Sequence, residues 1–133
     1  MDRIAGRSPR SACENSLCRL QTECIDLYWL HYWDKRTSIE ETMSALGHLV
    51  QAGKVRYIGV SDTPAWKIAE ANMLACFRGW SAFIAMQIEY SLLERTVEKE
   101  LIPMAWEFGL GVTPWSPLKG GALRGNTTDA PQA

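Results

Sequence analysis

Ile25-Asp26-Leu27-Tyr28-Trp29-Leu30-His31-Tyr32-Trp33-Asp34 is an apolar run closed by a histidine just before a polar, charged stretch. It reads as a buried strand over about Ile25–Trp33, with His31 where that strand would end. Three further apolar segments have strand character: Val55–Ser61, Phe83–Tyr90 and Leu110–Trp115. Their starts recur about every 30 residues, the size of one strand-plus-helix unit. Helical patterns fill the gaps. Ser38 with Glu41 three residues on forms a capping box, and Ile39, Met43, Leu46, Leu49 and Val50 follow as one apolar stripe. Gly53 suits the left-handed position after that helix. A second helix is expected from Thr63 as cap with Pro64 at its first position. A third is expected over about Thr96–Phe108, where Pro103 imposes a kink or a restart. Residues Ser11–Leu20 read as the end of one more helix, leading into the first strand.

Strand and helix alternating at a fixed period imply an α/β fold whose parallel strands are joined by right-handed crossovers. Two architectures fit, a doubly wound open sheet or part of a (β/α)8 barrel, and periodicity does not choose between them. No Gly-x-Gly-x-x-Gly follows a strand and no Walker loop is present, so the usual open-sheet phosphate sites are not supported. In both architectures chemistry gathers at the C-terminal ends of strands. Those ends carry His31, then Ser61 and Asp62, then Gln87, Glu89 and Tyr90, then Trp115 and Ser116. Each has an ordinary structural reading: a Ser-Asp pair before Thr-Pro is a common helix entry, and a lone strand histidine is commonly a core group. Agreement among all the strand ends is the stronger signal.

Composition narrows the function. The 133 residues suit one domain, expected over 1–133 with flexible ends at 1–10 and 120–133. A net charge of −1 argues against a nucleic-acid or anionic-membrane partner. No apolar run approaches bilayer length, and the first residues lack the order of a signal peptide, so a cytoplasmic protein is expected. Cys13, Cys18, Cys24 and Cys76 form no Cys-x-x-Cys pair and read as reduced thiols, with no metal site.

From Ser16 to Leu123 the chain resembles the central part of the aldo-keto reductase superfamily. The resemblance rests on Leu20-Gln21-Thr22, Ile25-Asp26-Leu27-Tyr28 with His31, and Gly53-Lys54-Val55-Arg56-Tyr57-Ile58-Gly59-Val60-Ser61. It continues through Gln87-Ile88-Glu89-Tyr90-Ser91-Leu92-Leu93-Glu94-Arg95 and Gly111-Val112-Thr113-Pro114-Trp115-Ser116-Pro117-Leu118. Tyr32-Trp33-Asp34 and Ser61-Asp62-Thr63-Pro64-Ala65-Trp66 look most like the aryl-alcohol-dehydrogenase-like branch.

The resemblance implies a partial (β/α)8 TIM barrel, family strands four to seven, and an NADPH-dependent reduction of aldehydes and ketones. The family uses an Asp, Tyr, Lys and His tetrad. The tyrosine protonates the carbonyl oxygen, the lysine held by the aspartate lowers that tyrosine's pKa, and the histidine orients the carbonyl. His31 matches the histidine. Ser61 and Gln87 match positions that hold the nicotinamide carboxamide. Asp62 stands where Asn is frequent, and Trp115 where an aromatic ring stacks on the nicotinamide. Ser116 and Leu118 match the start of the loop along the cofactor pyrophosphate.

The family's Asp, Tyr and Lys belong to strands before the one carrying His31, and its 2′-phosphate site to a later segment. The chain is therefore expected as a fragment without them. None of Tyr28, Tyr32, Tyr57 or Tyr90 matches the proton-donor motif, and Lys35, Lys54 and Lys67 read as solvated charges. The expected substrate is a small carbonyl compound. Trp29, Trp33 and Trp66 are candidates to line an aromatic pocket near His31, with packing the simpler reading of Trp29 and Trp66. Two alternatives stand beside the reductase: a non-catalytic subunit binding cofactor or a partner, and a half-barrel assembling with another half. Open sheet edges would favour self-association.

Overall fold

The computed structural model describes residues 9–125. Along the chain it forms α1 (Pro9–Leu20), β1 (Ile25–Leu30), α2 (Ile39–Gln51), β2 (Val55–Ser61), α3 (Ala65–Arg78), β3 (Phe83–Glu89), α4 (Leu101–Glu107) and β4 (Gly111–Trp115). Each intervening helix returns the chain to the start of the next strand, so β1, β2, β3 and β4 pair in parallel and in sequence order. Right-handed crossovers that never reverse order keep every helix on one side of the sheet. A doubly wound sheet requires a reversal of order. The sequential order is that of the barrel type of winding.

Residues paired in register share a face. The rows Tyr28–Ile58–Phe83 and Leu30–Val60–Met86 face the helices. There they meet Met43, Leu46 and Leu49 of α2, Ile68, Ala71 and Ala75 of α3, and Ala105 of α4 in one core. The opposite face carries the rows Trp29–Gly59–Ala85–Gly111 and Ser61–Gln87–Thr113. That face is open, with Tyr57 on it 55% exposed. One irregularity interrupts the ladder. Ile58 pairs with Phe83 and Gly59 with Ala85, so Ile84 is an extra residue, bulged outward and exposed. Asn72 of α3 fixes the start of β3: its Oδ1 accepts from Phe83 N–H at 2.9 Å and its Nδ2 donates to Phe83 C=O at 3.1 Å.

Several boundaries differ from the sequence expectation. β1 stops at Leu30 because its ladder to β2 ends with Leu30 on Val60, leaving His31 just past the strand. β3 stops at Glu89, and β4 starts after Leu110. Thr63 does not cap α3. Its hydroxyl donates to Ser61 C=O at 2.9 Å, and Pro64 occupies the cap position without a side-chain bond. The third helical pattern divides into a 3-10 turn (Thr96–Lys99) and α4, broken at Glu100 (φ −133°, ψ −51°). Pro103 falls in the first turn of α4, where a missing N–H costs nothing. Pro9 and Arg10, expected in a flexible end, open α1, whereas residues 1–8 and 126–133 lie outside the described residues.

Candidate functional site

The C-terminal edge of the sheet assembles side chains far apart in sequence. His31 stands just beyond β1, exposed, with its ring edge-to-face to Tyr32 at 6.4 Å. Ser61 and Gln87 are register partners on adjacent strands. Ser61 is nearly buried, at 3% exposure. Neither the Ser61 hydroxyl nor the Gln87 amide bonds to another side chain among the described residues. A serine and an amide side by side offer both a donor and an acceptor to a planar polar group.

Two turns beside this pair are held in left-handed backbone. Asp62 has φ 44° and Ser116 has φ 53°, conformations that non-glycine residues adopt at a cost. Asp62 N–H donates to Gln87 C=O at 3.3 Å, fixing the first turn over β3. The Trp115 Nε1–H donates to Asp62 Oδ1 at 3.1 Å, a bond reaching from β4 to the end of β2 across β3. Beside this bond opens a shallow cleft of about 520 Å³ whose walls include Asp62, Glu89, Glu94, Val97 and Trp115, but not His31, Ser61 or Gln87.

The loop leaving β4 is clasped to this cleft. Lys119 Nζ lies 2.6 Å from Glu89 Oε1 and 3.5 Å from Glu94 Oε2. Its bond to Glu89, then the charge of Glu89 and Glu94, raises the lysine's pKa. Glu94 is held below the usual carboxylate range, first by the Thr96 hydroxyl and backbone N–H and then by Lys119. Leu118 is half exposed and closes a tight turn, its C=O accepting from Gly121 N–H at 3.0 Å and Leu123 N–H at 3.2 Å.

The aromatic side chains near His31 do not sit as the sequence suggests. Trp66 is 59% exposed and stands edge-on to Trp33 at 5.5 Å, so it is not a core residue. Lys67 is not a solvated charge: its side chain is 12% exposed, with Nζ 2.6 Å from Glu70 and 5.1 and 5.2 Å from the Trp33 and Trp66 rings. The loop after β1 returns over the first turn of α3, which covers the ammonium and which no local spacing reveals. Trp29 is half-buried on the open face against Gly59.

Burial raises the pKa of Tyr28, and Tyr90 is raised by donating its hydroxyl to Glu98 at 2.7 Å. Sequence reasoning missed the Lys119 clasp; its one local sign is a basic residue before the Gly120-Gly121 pair. The cysteines are free, and among the described residues no helix is long and apolar enough to cross a membrane.

Comparison with known proteins places this arrangement. A family model described as the aldo/keto reductase family matches residues 3–133. A Saccharomyces cerevisiae protein named "Probable aryl-alcohol dehydrogenase AAD4" is 47% identical over 110 residues, covering 83% of this chain and 33% of that protein. The norsolorinic acid reductase stcV of Emericella nidulans is 44% identical over 118 residues, covering 89% of this chain and 30% of its own length. The aryl-alcohol dehydrogenase [NADP(+)] of Phanerodontia chrysosporium is 40% identical over 124 residues, with 93% and 31% covered. The chain thus spans about a third of the length of these curated relatives. Four parallel strands wound in one sense, with strand-end residues on one edge, form part of a (β/α)8 barrel, and the chain belongs to the aldo/keto reductase family.

Proposed function

We propose that this chain carries the carbonyl-orienting and nicotinamide-holding part of an NADPH-dependent reductase of aldehydes and ketones. The observation that carries the reading is the register pairing of Ser61 with Gln87, neither bonded to another side chain among the described residues, beside an exposed aromatic ring at Trp115. A carboxamide needs one donor and one acceptor in a plane, and the Ser61 hydroxyl and Gln87 amide supply both, with Asp62 adding an acceptor. Trp115 offers its ring face to the dihydronicotinamide. Ser116 and Leu118 begin the loop that would follow the cofactor's pyrophosphate. His31, unbonded to other side chains among the described residues and exposed, is free to hydrogen-bond a carbonyl oxygen and orient it. The bound cofactor supplies the hydride for the carbonyl carbon.

None of the four tyrosines, Tyr32 beside His31 included, matches the family's proton-donor motif. Tyr28 packs against the core on the helix side of the sheet, and the Tyr90 hydroxyl donates to Glu98. Tyr57 lies four residues before Ser61 on β2, well below the strand end. The proposal therefore separates binding from turnover: this chain binds NADPH and does not reduce a carbonyl by itself. The substrate class suggested by the aryl-alcohol and norsolorinic acid relatives is an aromatic carbonyl compound.

Tryptophan fluorescence during NADPH titration tests binding. Saturable quenching that disappears in Trp115→Phe is the expected outcome, and quenching that persists unchanged would remove Trp115 from the site. NADPH oxidation with an aromatic aldehyde tests turnover, where consumption above the no-enzyme rate would show that the chain holds its own proton donor.

A further inference from the structure

Trp115 ends an edge strand whose five residues are all exposed, and the ring itself is 38% exposed. A side chain so placed has nothing beyond it to select one rotamer. Its Nε1–H could be satisfied equally by water, so burial does not demand the bond to Asp62. Yet the bond is made, at 3.1 Å, to a carboxylate two strands away. Both of its ends rest on left-handed backbone, Asp62 itself and Ser116 next to Trp115. Strain of this kind persists where the surroundings over-determine a geometry, and it concentrates at ligand clamps. Asp62 N–H is tied in turn to Gln87 C=O, so the turn that aims the carboxylate is anchored on the strand beneath the cleft.

We propose that Asp62 is a positioning residue for Trp115: its carboxylate fixes the plane of the indole on which the nicotinamide ring stacks. The proposal rests on the cofactor reading above. It gives Asp62 a role through the ring rather than through direct contact with cofactor alone. A bond to a charged acceptor contributes more than a neutral one, and it holds the ring in one orientation before the ligand arrives.

The test uses the chain labelled with 5-fluorotryptophan, the Trp115 fluorine resonance being assigned by its loss in Trp115→Phe. In the ligand-free chain, Asp62→Ala is expected to narrow that resonance and move it toward the free amino acid. Asp62→Asn keeps an acceptor oxygen and is expected to leave the resonance close to its original position. An unmoved resonance in Asp62→Ala overturns the proposal. NADPH titration by calorimetry, which does not depend on Trp115 emission, then reads the consequence. Asp62→Ala should weaken binding about tenfold, the scale of one hydrogen bond to a charged group, and Asp62→Asn should restore most of it. In the Trp115→Phe background, Asp62→Ala should cost clearly less than it does with the indole in place, only its own contact with the carboxamide being left to lose. A full additional loss there would mean that Asp62 acts on the cofactor directly, and the positioning role would fall. If unaltered protein does not bind NADPH, the cofactor reading fails, while the fluorine comparison still decides whether Asp62 holds the ring.

Discussion

Space at Gly59 is already taken. A Cβ built there would lie 2.6 Å from Cε3 and Cζ3 of Trp29, closer than side-chain carbons approach. The obstacle is a rigid ring rather than the end of a flexible chain, so the ring or the strand must move. Gly59→Ala is expected to destabilise the chain by about 1–3 kcal/mol, the usual cost of overpacking. A urea midpoint lowered in Gly59→Ala and restored when Trp29 is also shortened to Leu would confirm the cause; an unchanged midpoint would show that Trp29 is free to swing away. Lys67 shows what reading residue by residue conceals. Its neighbours in sequence suggest a solvated helix charge, whereas two indoles and Glu70 surround its ammonium. Covering of that kind depends on where the loop after β1 lands.

Capping separates the elements that announce themselves from those that do not. Ser38 Oγ accepts from Glu41 N–H at 3.1 Å at the start of α2, as the Ser-x-x-Glu spacing suggests, and Gly53 has φ 69° just beyond its end. Ser38→Ala removes that acceptor and should cost about 0.5–2 kcal/mol, read as a loss of thermal or urea stability with no change in the far-ultraviolet spectrum at low temperature. A loss below the error of the measurement would mean that water replaces the cap. At α3 the same kind of motif misleads. Thr63 stands where a cap should, but the left-handed turn at Asp62 sends its hydroxyl back to Ser61 C=O. The turn that positions the candidate site thus displaces the local capping rule.

At the scale of the molecule, period and patterning made the alternation of strands and helices legible. They did not distinguish two ways of winding it. That decision lay in strand order, which depends on contacts between segments some thirty residues apart and leaves no local mark. The residues at the strand ends were legible as a group because the strands were. Their mutual geometry was not: the Trp115–Asp62 bond spans 53 residues, and the Lys119–Glu89 pair spans 30. The open face and the two outer strands, β1 and β4, also follow from the whole. With one face packed on helices and the other carrying Trp29, Tyr57 and Trp115, the sheet has the sidedness of a barrel wall. Exposed parallel edges of this kind invite pairing with another strand.

Ile84 can be considered as a matter of chain length. Phe83 and Ala85 answer to consecutive residues on β2, although they are two apart in β3. The sheet is therefore one residue longer here than its pairing requires, and the surplus is a side chain 43% exposed to solvent. Removing Ile84 would leave Phe83 under Asn72 and keep Gln87 opposite Ser61. Removing Met86, two positions on, would also absorb the surplus, but it would set Ala85 opposite Val60 in place of the fully buried Met86 and turn Ile84 onto the open face opposite Gly59. The shortened chain without Ile84 is expected to unfold near the temperature of the original, and the chain without Met86 at a clearly lower one, because a core methionine is replaced by an alanine at a cost of about 2–5 kcal/mol. Equal damage from both deletions would mean that the extra residue is needed where it stands. An insertion that a sheet can absorb is also a place where related chains are free to differ in length by one.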